Sequence, residues 1–180
     1  MSRAIQLNTP LTEAAVRSLQ AGDEVAISGP VYSARDMAHQ RLCKLLDLDG
    51  VLPIDLRGAV IYFVGPTPAP PDRPIGSAGP TTASRMDAFS PKLIAAGLKG
   101  MIGKGYRNET VREALKQYQA IHFSAVGGAG ALLSRHIVAS EVVAYEDLGT
   151  EAIRRLVLEQ FPVIVAYDAH GNSVYDNEVR

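Results

Sequence analysis

The stretch that most constrains this fold is residues 65–76, where five prolines fall between Pro66 and Pro74 directly after an unbroken apolar run at residues 59–64. Such a run reads as a buried strand. Prolines cannot continue a sheet ladder, and each fixes its own φ. The sheet must therefore end near Val64, and the chain must leave it on a stiffened path. The tract is short, lies between structured segments and ends on Gly79-Pro80-Thr81-Thr82-Ala83-Ser84-Arg85-Met86-Asp87. It reads as an ordered loop, not as a linker between domains. In the motif it delivers, a Gly-Pro turn is followed by three hydroxyl residues and by an arginine where a helix could begin. Chain leaving such a turn can present free backbone N–H groups and the positive end of a helix dipole, and the guanidinium adds a planar two-point fork. The expectation is an anion-binding loop.

Before this tract, residues 4–7 suggest a short strand, and Thr12 can cap a helix over residues 13–20 that stops at Gly22. Residues 24–28 read as a buried strand, followed by a Gly29-Pro30 connection and a helix over residues 35–48 ended by Gly50. Arg35 and His39 are four apart and share a face at its start. A solvated first-turn arginine is the plain alternative. An arginine is nevertheless a poor match for the positive helix start, so an anionic partner is expected.

After the motif, Ser90-Pro91 look like a cap and a first helical residue, with the helix running to Ala96. Gly100-Met101-Ile102-Gly103-Lys104-Gly105 is an apolar strand turning around one lysine. It is not a phosphate-binding P-loop, because Leu98 and Gly105 stand where Gly and Ser or Thr are needed. Lys104 is then either a point contact for an oxyanion or an exposed turn lysine. Asn108 can cap a helix over residues 110–118. Residues 121–126 read as a strand feeding Gly127-Gly128-Ala129-Gly130, and Leu133 replaces the third glycine of a dinucleotide fingerprint. Residues 138–145 suggest another strand, Thr150 a cap for a helix over residues 151–160, and residues 162–168 a final strand. His122 and His136 lack the grouping of metal ligands. The sum is an α/β unit, one domain over residues 1–180.

Eighteen basic residues against 19 acidic ones give a formal net charge of −1, so no broad basic field addresses nucleic acid or an anionic membrane. An anion site must be local. No apolar run is long enough to span a bilayer and the first residues do not open a signal peptide, which points to the cytosol. The single cysteine, Cys43, excludes an internal disulfide and a self-contained iron–sulfur site, which takes three or four cysteine ligands.

Four stretches together resemble a known family: Gly22-Asp23-Glu24-Val25 leading to Ala34-Arg35-Asp36-Met37-Ala38-His39; Gly65-Pro66-Thr67-Pro68 leading to the 79–86 motif; Ile102-Gly103-Lys104-Gly105; and Glu146-Asp147-Leu148-Gly149 with Glu151-Ala152. They extend over most of the chain and resemble the β-subunit, or C-terminal domain, of class I fumarases and the related L-tartrate dehydratases. The resemblance implies a swivelling β/β/α fold with a mixed sheet and flanking helices. It implies reversible hydration of a dicarboxylate alkene, fumarate to L-malate, with L(+)-tartrate as the alternative substrate. It also implies a [4Fe-4S] cluster ligated by a cysteine-bearing α-subunit and not by this chain, in a dimer of αβ units. By position, Arg35, Arg85 and Lys104 match residues that hold the substrate carboxylates, and Thr81 matches the threonine that moves the proton. Thr82 and Ser84 are adjacent alternatives. A threonine hydroxyl is a weak base, so a helper is expected from the α-subunit. A non-catalytic carboxylate-binding regulatory module is the reading from a different class. The enzyme reading also predicts exposed apolar surface where the partner docks.

Overall fold

The computed structural model describes residues 3–125 and 129–177. Val126, Gly127 and Gly128, where an expected strand was to meet its glycine-rich turn, lie outside the described residues. Strands and helices alternate through the first two thirds: β1 Ile5–Asn8, α1 Glu13–Ser18, β2 Glu24–Ser33, α2 Asp36–Asp47, β3 Val60–Tyr62, α3 Ser90–Ala95, β4 Gly100–Gly103, α4 Glu109–Tyr118 and β5 Ile121–Ser124. Then come α5 Gly130–Leu133, β6 Ile137–Ala144 and the long β7 Ile153–Tyr167. Local chemistry accounts for several starts. Thr12 Oγ1 accepts from Ala15 N at 3.2 Å and Asn108 Oδ1 from Val111 N at 3.0 Å, each satisfying an amide that the first helical turn leaves open. Ser90 is the first residue of α3 and not its cap, since its hydroxyl is turned inward to the Met86 carbonyl.

All the strands belong to one mixed sheet, as the α/β reading with flanking helices anticipates. The consecutive strands β2, β3, β4 and β5 run parallel, each joined to the next through a helix. β7 runs antiparallel to both β2 and β5, so β2-β3-β4-β5-β7 closes into a barrel-like ring. β1 shares an edge of β2 with β3, and β6 shares an edge of β7 with β5.

Two expectations are corrected. β2 does not stop at Ser28 but continues through Gly29-Pro30 to Ser33, with a bulge where Gln160 of β7 adopts φ 51° and donates its amide to Ser28 Oγ. Pro30 interrupts no ladder, because its carbonyl faces the gap between β1 and β3, where the Thr9 hydroxyl donates to it at 2.6 Å. Residues 151–160 are not a helix. Glu146–Glu151 forms a 3₁₀ turn and the rest is the first half of β7. Ile153, Leu156 and Val157 fit a helical stripe as well as a strand, but Leu156, Leu158, Phe161, Val163 and Val165 continue as one buried face of a strand that pairs with β2 on one edge and with β6 and then β5 on the other.

Alternation along the strands sends side chains into two apolar clusters. One holds Val60, Tyr62, Phe123, Phe161 and Leu156 with α1 packed at its margin through Val16. The other takes Ile61, Phe63 and Met101 from the opposite faces and joins them to α2, α3 and α4 through Leu42, Leu93 and Leu115. Both consist of residues almost wholly removed from solvent, and their packing fixes the strand ends that position the site.

Candidate functional site

Ligands of open α/β sheets gather beyond the carboxyl ends of parallel strands, and the same ends converge here. β2 leads into Arg35 at the mouth of α2, the β3 edge is prolonged by Phe63, and β4 runs into Lys104. The 79–86 motif is laid between the last two. Thr81 N donates to the Phe63 carbonyl at 2.7 Å, Lys104 N to the Thr81 carbonyl at 3.3 Å and Ala83 N to the Lys104 carbonyl at 2.8 Å, with Thr82 and Lys104 forming an isolated parallel bridge. Gly103 permits this approach: a Cβ there would stand 2.9 Å from the Phe63 ring and 3.3 Å from the Thr81 carbonyl oxygen.

That ladder takes up part of the motif's backbone. The amides of Thr81 and Ala83 are taken by backbone carbonyls, and the motif continues as a 3₁₀ turn, Ala83–Met86, with no side-chain cap. Those two amides are therefore not available to a ligand, and the polar groups the motif leaves exposed are the side chains of Thr82, Ser84 and Arg85. Ala83 and Met86 anchor the turn in the core, Thr81 is half-buried, and Thr82, Ser84 and Arg85 are exposed.

The proline tract is ordered, as expected. Thr67 N donates to the Ser77 carbonyl at 3.1 Å and Ser77 N to Thr67 Oγ1 at 2.7 Å, pinning the two ends of the loop together. The buried Tyr62 hydroxyl donates to the Ala78 carbonyl, tying β3 to the entry of the motif, and burial pushes that phenol well above its usual range.

Arg35 and Arg85 meet on a residue that sequence reasoning passed over. Asp36 Oδ1 accepts from Arg85 Nε at 3.1 Å, and its Oδ2 lies 3.7 Å from Arg35 Nε. That second separation is an ion-pair distance but too long for a hydrogen bond, so Arg35 Nε and Asp36 Oδ2 are both buried without a bonded partner among the described residues. The signal was an acidic residue in the first turn of a helix, directly after the arginine. Gly65 faces the Arg35 side chain: a Cβ there would be 3.0 Å from Arg35 Cδ and 3.1 Å from Nη1. Arg35 provides no cap to α2, and the Glu151 carboxylate accepts from Met37 N at 3.4 Å in its place. Arg41 grips Asp147 with both terminal nitrogens, so the Glu146–Glu151 turn braces α2 twice. No carboxylate among the described residues lies within ion-pair distance of Lys104.

Beneath the motif is a buried polar cluster that the sequence did not announce. The Arg107 side chain is fully buried; its Nε donates to Asp87 Oδ1 at 2.7 Å, its Nη1 meets His122 Nδ1 at 3.1 Å, its Nη2 donates to Ser90 Oγ, and its guanidinium lies over the Phe63 ring at 5.4 Å. His39, packed edge-on against Phe63, donates from Nδ1 to the Arg35 carbonyl at 2.8 Å, while its Nε2 is buried without a partner among the described residues. Burial lowers the His39 pKa to about 4, and burial with the nearby Arg107 charge drives His122 well below its usual value.

The donor set does not fit ligation of an iron–sulfur cluster. Cys43 is buried and its thiol points to the Phe89 carbonyl at 3.6 Å, and burial raises its pKa, which opposes the thiolate a metal needs. Among the described residues no group of three or more His, Cys, Asp and Glu side chains could hold a metal, and no helix is long and apolar enough to cross a membrane.

The chain is 33% identical over 180 residues to the fumarate hydratase class I, anaerobic, of Escherichia coli K12, a match covering 98% of this chain and 33% of that protein. It is 31% identical over 176 residues to the fumarate hydratase 1, mitochondrial, of Leishmania major, covering 96% of this chain and 32% of that protein. It thus spans about a third of the length of the curated fumarate hydratases it matches. A Methanocaldococcus jannaschii protein provisionally named L(+)-tartrate dehydratase subunit beta is 34% identical over 172 residues, covering 92% of this chain and 88% of its own length. The model of the Fumarase C-terminus family matches residues 1–178, and the chain belongs to that family.

Proposed function

We propose that this chain is the β-subunit of a hydro-lyase that adds water reversibly across the double bond of fumarate to give L-malate. The observation that carries the reading is the convergence of Arg35 and Arg85 on Asp36 beside the Thr81–Lys104 ladder, at the carboxyl ends of β2, β3 and β4. Two guanidinium forks and an ammonium suit a dianion, neutralising and orienting it with little reorganisation. In this reading Arg35, Arg85 and Lys104 hold the substrate carboxylates. Thr81 exchanges the proton at the carbon that does not bear the hydroxyl, assisted by a base on the partner because its own hydroxyl is too weak. The partner is a cysteine-bearing α-subunit, in a dimer of αβ units, and the [4Fe-4S] cluster it holds supplies a Lewis-acidic iron.

The relative named as a separate beta subunit, which this chain covers nearly end to end, favours a two-chain enzyme and makes L(+)-tartrate the second substrate reading. The test is anaerobic co-expression with the partner, loading with iron and sulfide, and hydro-lyase assays on fumarate, L-malate and L(+)-tartrate. Turnover of fumarate is the expected result. Turnover of L(+)-tartrate alone reassigns the substrate, and a loaded complex inert on all three overturns the enzyme reading.

A further inference from the structure

A second site lies between the proline loop and the Glu146–Glu151 turn, in a cavity of about 350 Å³ that shares no lining residue with Arg35, Thr81, Arg85 or Lys104. Its volume is at the lower end of the range for small-molecule sites. Pro66, Ile75 and Val142 give it apolar walls, and Thr67 and Thr150 contribute hydroxyls. Its cation is Arg154. That residue sits on the doubly paired part of β7, opposite Ser33 of β2 and Val142 of β6, and its backbone amide donates to Ser33 Oγ at 3.1 Å. The base of the side chain is thereby fixed. Arg154 Nε is buried and donates to no described residue, and no carboxylate among the described residues lies within ion-pair distance of the guanidinium. An unpaired donor on a buried part of a permanent cation favours an anionic acceptor.

Glu146 also lines the cavity, at an exposed position, and makes no ion pair with Arg154. A second negative charge on a ligand held at Arg154 would face this carboxylate. The cavity therefore differs in chemistry from the candidate substrate site, where two arginines meet on Asp36. It also borders that site: the Thr150 carbonyl oxygen and Arg35 Nη1 both lie within 3.4 Å of the position a Gly65 Cβ would take.

We propose that this cavity binds a small monocarboxylate with a compact aliphatic body, its carboxylate on Arg154 and its carbon chain against the proline loop. Titration of the full chain with 3-methylbutanoate, followed by amide NMR, tests it. Saturable shifts are expected at Thr67, Thr150 and Arg154. The neutral isostere 3-methylbutanamide should bind about tenfold or more weakly, because it cannot form a charge-assisted pair. Arg154→Gln should weaken 3-methylbutanoate to a similar degree, while Arg85→Gln leaves it unchanged. Absence of saturable shifts overturns the proposal, as does equal binding of acid and amide. Shifts centred on Arg35 and Arg85 overturn it too, by placing the carboxylate in the other site. None of these readouts depends on turnover, so failure here is distinct from failure of the hydro-lyase reading.

Discussion

Arg85 Nε donates to Asp36 Oδ1 at 3.1 Å, and the other oxygen of the same carboxylate lies 3.7 Å from Arg35 Nε. One short acid thus holds two guanidinium groups side by side at the start of α2. Because Arg85 spends its Nε on Asp36, its two terminal nitrogens, which bond no described residue, remain as a fork for a carboxylate. Asp36→Ala should release both arginines and weaken dicarboxylate binding about tenfold or more, the worth of a hydrogen bond to a charged group. Asp36→Asn keeps an acceptor for Arg85 and should retain most of the affinity. KM measured for both variants in the loaded complex checks this, and equal losses would remove the orienting role.

Arg85→Lys should lower kcat/KM about 10- to 100-fold, because an ammonium replaces a two-point fork with a point charge. Arg57→Lys is the control. Among the described residues its guanidinium bonds only Asp55, at the surface, with 85% of the side chain exposed, and kinetics should not change. Near-normal kinetics for both variants would refute the clamp.

Thr81 hangs from a ladder made by its backbone, since its amide and carbonyl bond Phe63 and Lys104. Thr81→Ala leaves those bonds in place and should lower kcat while changing KM little, the pattern of a group acting in the transition state. A loss confined to KM would assign Thr81 to binding and bring Thr82 or Ser84 forward.

The buried Asp87–Arg107 pair should matter for stability. Asp87 Oδ1 takes the fully buried guanidinium and Oδ2 takes the amide of Asn108, so the acid joins the motif to the start of α4. Asp87→Asn strands a buried cation and should cost about 3–5 kcal/mol of unfolding free energy. Asp55→Asn, at the exposed Asp55–Arg57 pair, should have almost no effect. Denaturant unfolding of the two variants checks the contrast.

How far the sequence anticipated this arrangement follows from the kind of signal each part carries. Thr12 and Asn108 cap their helices as expected, because a cap is local chemistry. The apolar run before the proline tract becomes β3 and Phe63, because a buried run followed by prolines has few alternatives. Residues 151–160 were misread because Ile153, Leu156 and Val157 fit both periods, and only pairing with β2 and β6 decides between them. The site was legible as residue types and not as partners. Arg35 and Arg85 stand out as cations, but Asp36 gains its meaning from a neighbour 49 positions away. Arg107, His122 and Asp87 gain theirs from burial, which no spacing in the sequence encodes.

Burial also sets the response to acid. His39 has its pKa lowered from 6.5 to about 4, chiefly by burial, and His122 is displaced in the same direction by burial and the Arg107 charge. Between about pH 6.5 and pH 4 the unfolded chain takes up protons that the folded chain refuses. Stability contributed by neutral His39 is therefore full above about pH 6.5 and falls as the pH drops toward 4, with up to about 1.4 kcal/mol lost per pH unit for each histidine. Protonation would place an unpaired Nε2–H of His39 in the interior beside Phe63 and loosen the residue that holds the Arg35 carbonyl. Unfolding free energies measured at pH 7 and pH 5 should differ clearly in the parent chain and less in His39→Leu, whatever the absolute stability of that variant. Equal differences in the two proteins would show that His39 titrates at its ordinary pKa and that its Nε2 is not sealed in the core.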